Sequence, residues 1–276
     1  MSKIWGYRCT NNQLEKLLLP EQGEVDDLVR KYGEGVYTTL RTYHRNRVLF
    51  LKEHIYRLEH SAELSGVFLT VSEASVRDLI RALIQEANGK DIRIRLIVPF
   101  SSPETVIGMA TFLTPPSMED YRLGVAVETR RMHRDNPQAK VTEFIQKASE
   151  IRKQIGKEIH EVIMVDENGR LLEGLSSNFF AVHQGKVWTA GQGVLPGITR
   201  ELVLKCVQEL NLPLNLEGFP YQRLYEIEEA FLTSTSRGVL PVRKIDQYTV
   251  PQTPGKITTT LSTRFQERLN QLLEEV

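Results

Sequence analysis

The chain has 276 residues, enough for two modest domains at about 150 residues each or for one large one. Its 35 Lys+Arg balance 35 Asp+Glu, which argues against nucleic acid as the main partner, because phosphate binding needs a basic surplus or stripe. No uninterrupted apolar run exceeds four residues, so no segment is long enough to cross a bilayer and no membrane role is expected.

The opening Met1–Gly6 carries no apolar signal core. The 2 cysteines, Cys9 and Cys206, make neither a disulfide framework nor a metal-ligand spacing. A reducing cytoplasm is the expected compartment.

From the start of the chain, Gly35 to Tyr43 is rich in β-branched and aromatic residues and predicts a strand, with a second over Arg47 to Lys52. A helix is expected from about His54 to Leu64, stopped by Gly66. Thr70-Val71-Ser72-Glu73 has the pattern of a capping box led by Thr70, opening a helix with Val76, Leu79, Ile80, Leu83 and Ile84 on one face. Strands follow at Ile92–Val98 and Thr105–Leu113. Pro115-Pro116 then fixes φ and removes two donors, so a linker is placed at 115–120 between domains at 1–114 and 121–276.

The second part is expected to begin with a strand at Leu123–Thr129 and a helix over Val141–Ile155. Tight turns are expected at Asp166–Gly169 and His183–Lys186, helices at Ile198–Leu210 and Ile257–Leu273, and strands at Glu229–Thr233 and Val239–Val242. The pattern is α+β with hairpins, without the strand–helix alternation of a doubly wound sheet.

Several chemistries are disfavoured. Gly33-Glu34-Gly35 has Thr38 where a dinucleotide fingerprint needs its third glycine. Gly174-Leu175-Ser176-Ser177-Asn178 lacks one glycine of a nucleophile elbow. His54 and His60 do not share a helix face, and no metal site is expected.

Four segments, taken in order, resemble a known family. They are Gly33–Arg41 with His54-Ile55-Tyr56-Arg57-Leu58; Pro137-Gln138-Ala139-Lys140; Leu172–Phe180; and Gly193–Arg200 with Thr233-Ser234-Thr235-Ser236. The pattern is similar to the class IV, fold type IV, pyridoxal-phosphate enzymes, which include branched-chain aminotransferases, D-amino-acid aminotransferases and aminodeoxychorismate lyase. The resemblance implies a two-domain fold with a small N-terminal α/β domain and a larger C-terminal domain with a β-barrel-like core. It also implies pyridoxal 5'-phosphate as cofactor, a site between the domains, and a homodimer with an isologous interface.

An aldehyde cofactor needs a lysine whose amine can be freed by burial, and Lys140 matches the family's catalytic lysine, although most lysines are solvated surface groups. Glu173 resembles the carboxylate that keeps the ring nitrogen protonated; read locally, it is a loop acid. Gly197, Ile198 and Thr199 open a helix whose free N–H groups suit a phosphate, and Thr199 could instead be a simple cap. Arg57 resembles the phosphate arginine, with a surface pair to Glu53 as the alternative. Ser177, Leu195, Ser234 and Thr235 complete the cofactor set that the resemblance implies.

For the substrate, Arg93 and Arg95 alternate on one strand face, and Arg41 shares a face with Tyr37 and Thr39. Any of these arginines could bind a carboxylate or guard a sheet edge. Tyr37, Val36 and Ile94 suggest an apolar lining. The activity expected is transfer of an amino group between a branched-chain L-amino acid and a 2-oxo acid such as 2-oxoglutarate. D-amino-acid transamination or lyase release of pyruvate are the alternatives. Thr38-Thr39 stand where aminotransferases often carry Glu, which is closer to the lyase. Pro99-Phe100 replace the Arg-Gly pair often found in the lyase and the D-amino-acid enzymes.

Overall fold

The computed structural model describes residues 3–20 and 23–276; Met1 and Ser2, part of the segment considered for a signal, lie outside it. Contacts divide the chain into two compact units: Met1–Thr114 with Ala139–Glu150 and Leu272–Val276, and Pro115–Gln138 with Ile151–Gln271.

The first unit begins with a hairpin that the sequence patterns did not reveal, β1 (Ile4–Thr10) and β2 (Gln13–Lys16). After the short helix α1 (Val25–Val29) come β3 (Gly35–Arg41) and β4 (Arg47–Leu49). Helices α2 (Leu51–Glu63) and α3 (Glu73–Glu86) precede β5 (Ile92–Pro99) and β6 (Thr105–Phe112). The expected second strand is shorter than Arg47–Lys52, because Leu51 already belongs to α2.

These strands form an antiparallel sheet in the order β2-β1-β6-β5-β3. Strand alternation sends Val36, Leu40, Ile92, Ile94, Leu96 and Val98 into one core with Leu51, Leu58, Leu79, Ile80 and Leu83 of α2 and α3. The opposite face carries Tyr37, Ile97, Ile107 and Met109, packed with Val25, Leu28 and Val29 of α1. Val36 and Ile94 therefore lie in the core with α2 and α3, not beside Tyr37, which corrects the lining expected from sequence.

The cap of α3 also differs. Ser72 is the N-cap, its Oγ accepting from the Ser75 amide at 3.1 Å, whereas the Thr70 amide is tied to the Pro103 carbonyl at 3.0 Å. A serine one step before the helix outcompetes the Thr-x-x-Glu pattern because its oxygen reaches the first unmet N–H groups.

The second unit opens with α4 (Met118–Leu123), where a strand was expected to start. Ser117 and Asp120 form a reciprocal capping box there, directly after the paired prolines. The chain continues through β7 (Val125–Arg131), passes through α5 (Glu143–Arg152), most of which belongs to the first unit, and returns in β8 (Ile159–Val165), β9 (Arg170–Gly174) and β10 (Asn178–His183). Short strands β11 (Lys186–Trp188), β12 (Leu214–Asn215) and β13 (Phe219–Pro220) flank α6 (Ile198–Glu209). The end is β14 (Glu229–Ser234), β15 (Gly238–Ile245), β16 (Tyr248–Thr249) and α7 (Lys256–Leu272).

Strands β10, β14, β15, β7, β8 and β9 run in that order, and β9 pairs back onto β10 through Asn178 and Glu173. The closed barrel expected from the resemblance is thus present, filled by Val127, Ile163, Phe179, Leu232, Leu240 and Val242. On its outer side Phe180 and Phe231 stack with ring centroids 4.8 Å apart. The closure is a single residue pair, and both of its residues belong to the segment singled out from sequence.

Candidate active site

Lys140 lies in the first unit. Its segment adds to the free edge of β3: the Tyr37 amide donates to the Lys140 carbonyl at 2.9 Å, and the Thr142 amide to the Gly35 carbonyl at 2.8 Å. The Lys140 amide in turn donates to Ser61 Oγ of α2 at 3.1 Å. Main-chain bonds on both sides of the lysine fix its Cα, and its half-buried ammonium sits 4.7 Å from the centroid of the Tyr37 ring. The guanidinium of Arg95 contacts the same ring at 4.8 Å.

Tyr37, Thr39 and Arg41 face one way on β3, and Thr39 and Arg41 stand opposite Arg95 and Arg93 of β5. The structure therefore brings all five substrate candidates to one sheet face. Arg95 is buried at 5% exposure and ion-paired through Nη2 to Asp26 at 3.0 Å; its Nε and Nη1 have no hydrogen-bond partner among the described residues. Arg41 lies over the Tyr43 ring and 4.0 Å from Asp91.

Arg57 does not pair with Glu53. Its Nη2 donates to Thr38 Oγ1 and lies 3.3 Å from Nδ1 of His54, while its buried Nε has no hydrogen-bond partner among the described residues. Thr38 Oγ1 also lies 2.7 Å from His54 Nδ1. Burial pushes the guanidinium down to about 10, against the opposing influence of Tyr37. His54 is held well below its usual titration range by burial first, then by the charges of Arg57 and Lys140. A neutral imidazole can therefore accept from the arginine.

In the second unit Glu173 is 2% exposed, with Oε1 2.8 Å from Arg134 Nε and Oε2 accepting from Asn178 Nδ2 at 2.9 Å. Asn178 also donates to the Leu195 carbonyl at 3.0 Å, tying β10 to the segment before α6. Gly197 is the N-cap of α6 and uses no side chain as cap; Thr199, inside the helix and buried, is therefore not the cap. A methyl group at Gly197 would collide with Asn178 Oδ1.

Ser177 Oγ donates to Glu161 Oε2 at 3.1 Å, and Ser176 donates to the same oxygen through Oγ at 2.6 Å. Arg237 Nη1 reaches it at 3.1 Å from the turn that holds Ser234 and Thr235. Burial opposes the charge of Glu161, but Arg237, Arg152 and the hydrogen bonds outweigh it and keep its acidity stronger than usual. One buried carboxylate thus ties two loops together.

Sequence reasoning missed Arg134, Glu161, Arg237, Asp26 and His54. Arg134 and Glu161 carry no local signal, because their meaning lies in the distant partners Glu173 and Arg237. His54 stands three residues before Arg57, so one helical turn gave a usable hint.

In the first unit the unmet buried Nε–H of Arg57 fits an anion; in the second, the helix start at Gly197 without a side-chain cap fits a phosphate and the buried Glu173 carboxylate fits a cationic ring nitrogen. No cluster of His, Cys, Asp and Glu among the described residues suits a metal.

A family model described as amino-transferase class IV matches residues 35–245. A protein of Thermotoga maritima named a probable branched-chain-amino-acid aminotransferase is 31% identical over 243 residues, covering 84% of this chain and 85% of that one. A crystal structure from Thermotoga maritima, assigned as a branched-chain amino acid aminotransferase, superimposes with TM-score 0.81 at 28% identity, covering 97% of each chain. The fold is shared too by a hypothetical aminotransferase from Mycobacterium tuberculosis solved in its PLP-bound form, with TM-score 0.77 and 18% identity, covering 96% of this chain and 99% of that one. The chain belongs to the class IV aminotransferases, enzymes of fold type IV. It is a pyridoxal-phosphate-dependent aminotransferase.

Proposed function

We propose that the enzyme transfers the amino group of a branched-chain L-amino acid to a 2-oxo acid such as 2-oxoglutarate. We further infer that it works in the cytoplasm as a homodimer. The Thermotoga relative's name supports the substrate class, and two buried free thiols agree with a reducing compartment. The observation that carries the reading is Tyr37, whose ring is contacted both by the Lys140 ammonium and by the Arg95 guanidinium. An amine nucleophile and a carboxylate-binding cation beside one aromatic face suit the exchange of an amino acid with a dicarboxylic 2-oxo acid.

The cofactor, when bound, supplies an aldehyde and an electron-withdrawing ring. Lys140 would hold it through its amine and would serve as the group that takes and returns the proton of the substrate α-carbon. Glu173, oriented by Arg134 and Asn178, would keep the ring nitrogen protonated. Arg57, Gly197, Ile198 and Thr199 would bind the phosphate, with Ser177, Leu195, Ser234 and Thr235 as further cofactor-binding residues. Arg95 takes the second carboxylate of 2-oxoglutarate on its unmet N–H groups. Tyr37, Thr39, Arg41 and Arg93 line the same sheet face.

Incubation with L-leucine and 2-oxoglutarate is expected to yield glutamate and 4-methyl-2-oxopentanoate. Absence of exchange, with pyruvate released from aminodeoxychorismate, would contradict this reading.

A further inference from the structure

Transamination by a ping-pong cycle sets one pocket two tasks. It must take an uncharged aliphatic side chain in one half and, with 2-oxoglutarate, a second carboxylate in the other. A buried guanidinium suits the second task and opposes the first, because an uncompensated charge beside an aliphatic chain is costly.

Arg95 is buried, but it is not uncompensated. Helix α1 lies on the Tyr37 face of the sheet and presents Asp26 to Arg95, Oδ1 to Nη2 at 3.0 Å. Nη2 is the nitrogen shared by both carboxylate-binding edges of a guanidinium, so an acid seated there competes with a bidentate ligand. The Asp26 side chain keeps 23% of its surface open, which leaves it a route to water. Two nitrogens of Arg95, Nε and Nη1, have no hydrogen-bond partner among the described residues.

We propose that Asp26 is a specificity-determining residue, the internal counter-ion that neutralises Arg95 while an uncharged side chain is bound and gives way when the substrate brings a second carboxylate. This rests on the reading that Arg95 lines the substrate site beside Lys140. A site occupied by an anion in only half the cycle needs such an exchangeable partner. A site for the carboxylate common to every substrate does not.

The test is steady-state kinetics of the cofactor-loaded enzyme, comparing kcat/KM for 2-oxoglutarate with kcat/KM for L-leucine. The ratio of the two is unaffected by any loss of active protein. Asp26→Asn is expected to improve 2-oxoglutarate and impair leucine by about tenfold each, the factor that about 1.4 kcal/mol represents, raising the ratio on the order of a hundredfold. Asp26→Glu, which keeps the carboxylate, is expected to stay within about threefold of the wild-type ratio. An unchanged or lowered ratio in Asp26→Asn overturns the proposal. If Arg95→Gln weakens 2-oxoglutarate use while Asp26→Asn leaves the ratio unchanged, the counter-ion role alone fails. If Arg95→Gln changes neither substrate's kcat/KM, the placement of Arg95 in the site fails with it. A wild-type enzyme inert towards both substrates overturns the function and the inference together.

Discussion

Arg134 Nε lies 2.8 Å from Glu173 Oε1, with the two side chains only 4% and 2% exposed. The second oxygen of Glu173 is held by Asn178, the residue paired with it where β9 meets β10 and the barrel closes. The carboxylate assigned to the cofactor ring is therefore fixed from two sides, by Arg134 in the loop after β7 and by Asn178 of the barrel strand β10.

Removing one partner of this pair strands the other. Arg134→Leu is expected to destabilise the protein by about 3–5 kcal/mol, the usual cost of an unmatched buried charge. Urea unfolding at neutral pH measures it, and a change under about 1 kcal/mol would show that the pair contributes little.

Glu173→Gln keeps the shape and removes the charge. Loss of a preorganised charge at the ring nitrogen is expected to lower kcat on the order of 10²–10³-fold, while the cofactor still binds. Single-turnover kinetics with L-leucine reads the step directly. A kcat within about twofold of wild type would remove Glu173 from the assigned role.

His54 gives a pH signature with a definite sign. The folded protein keeps it neutral below its usual range, whereas the unfolded chain takes up a proton near pH 6.5. The unfolded state then binds more protons, so stability rises with pH between the lowered folded value and about 6.5. Below pH 6.5 the wild type is expected to lose up to about 1.4 kcal/mol per pH unit relative to His54→Gln, until the folded histidine itself titrates. Unfolding midpoints of both proteins from pH 7.5 to 5 test this, and parallel curves contradict it.

At Gly197 the backbone itself is at stake. A methyl group there meets Asn178 Oδ1, so Gly197→Ala must shift either the start of α6 or the asparagine that holds Glu173. Cofactor affinity is expected to fall about tenfold or more, measured by absorbance titration of the apoenzyme. Unchanged affinity would free the helix start from the phosphate role.

Much of this architecture was legible because it is local. The hydrophobic face of α3, the turns at Asp166–Gly169 and His183–Lys186 and the start of α6 at Ile198 follow from periodicity and turn chemistry. The hairpin of β1 and β2 was not, because every residue of β2 is exposed and no apolar alternation marks it. Ser117-x-x-Asp120 was a readable cap that the neighbouring prolines masked as linker. For the site, the resemblance supplied Lys140, Arg57 and Glu173. Asn178 already stood beside Glu173 in the segment singled out, whereas Thr38 and Arg134 emerge as partners of Arg57 and Glu173 only from folding, since spacing does not show which distant residues meet.

The central claim is that Lys140 holds pyridoxal phosphate for transamination, and visible absorbance tests it most directly. The wild-type protein reconstituted with pyridoxal phosphate is expected to show an absorption band that changes on addition of L-leucine and returns on addition of 2-oxoglutarate. Lys140→Ala is expected to lack that reversible change. A Lys140→Ala protein with the wild-type spectrum and undiminished amino-group transfer would contradict the claim.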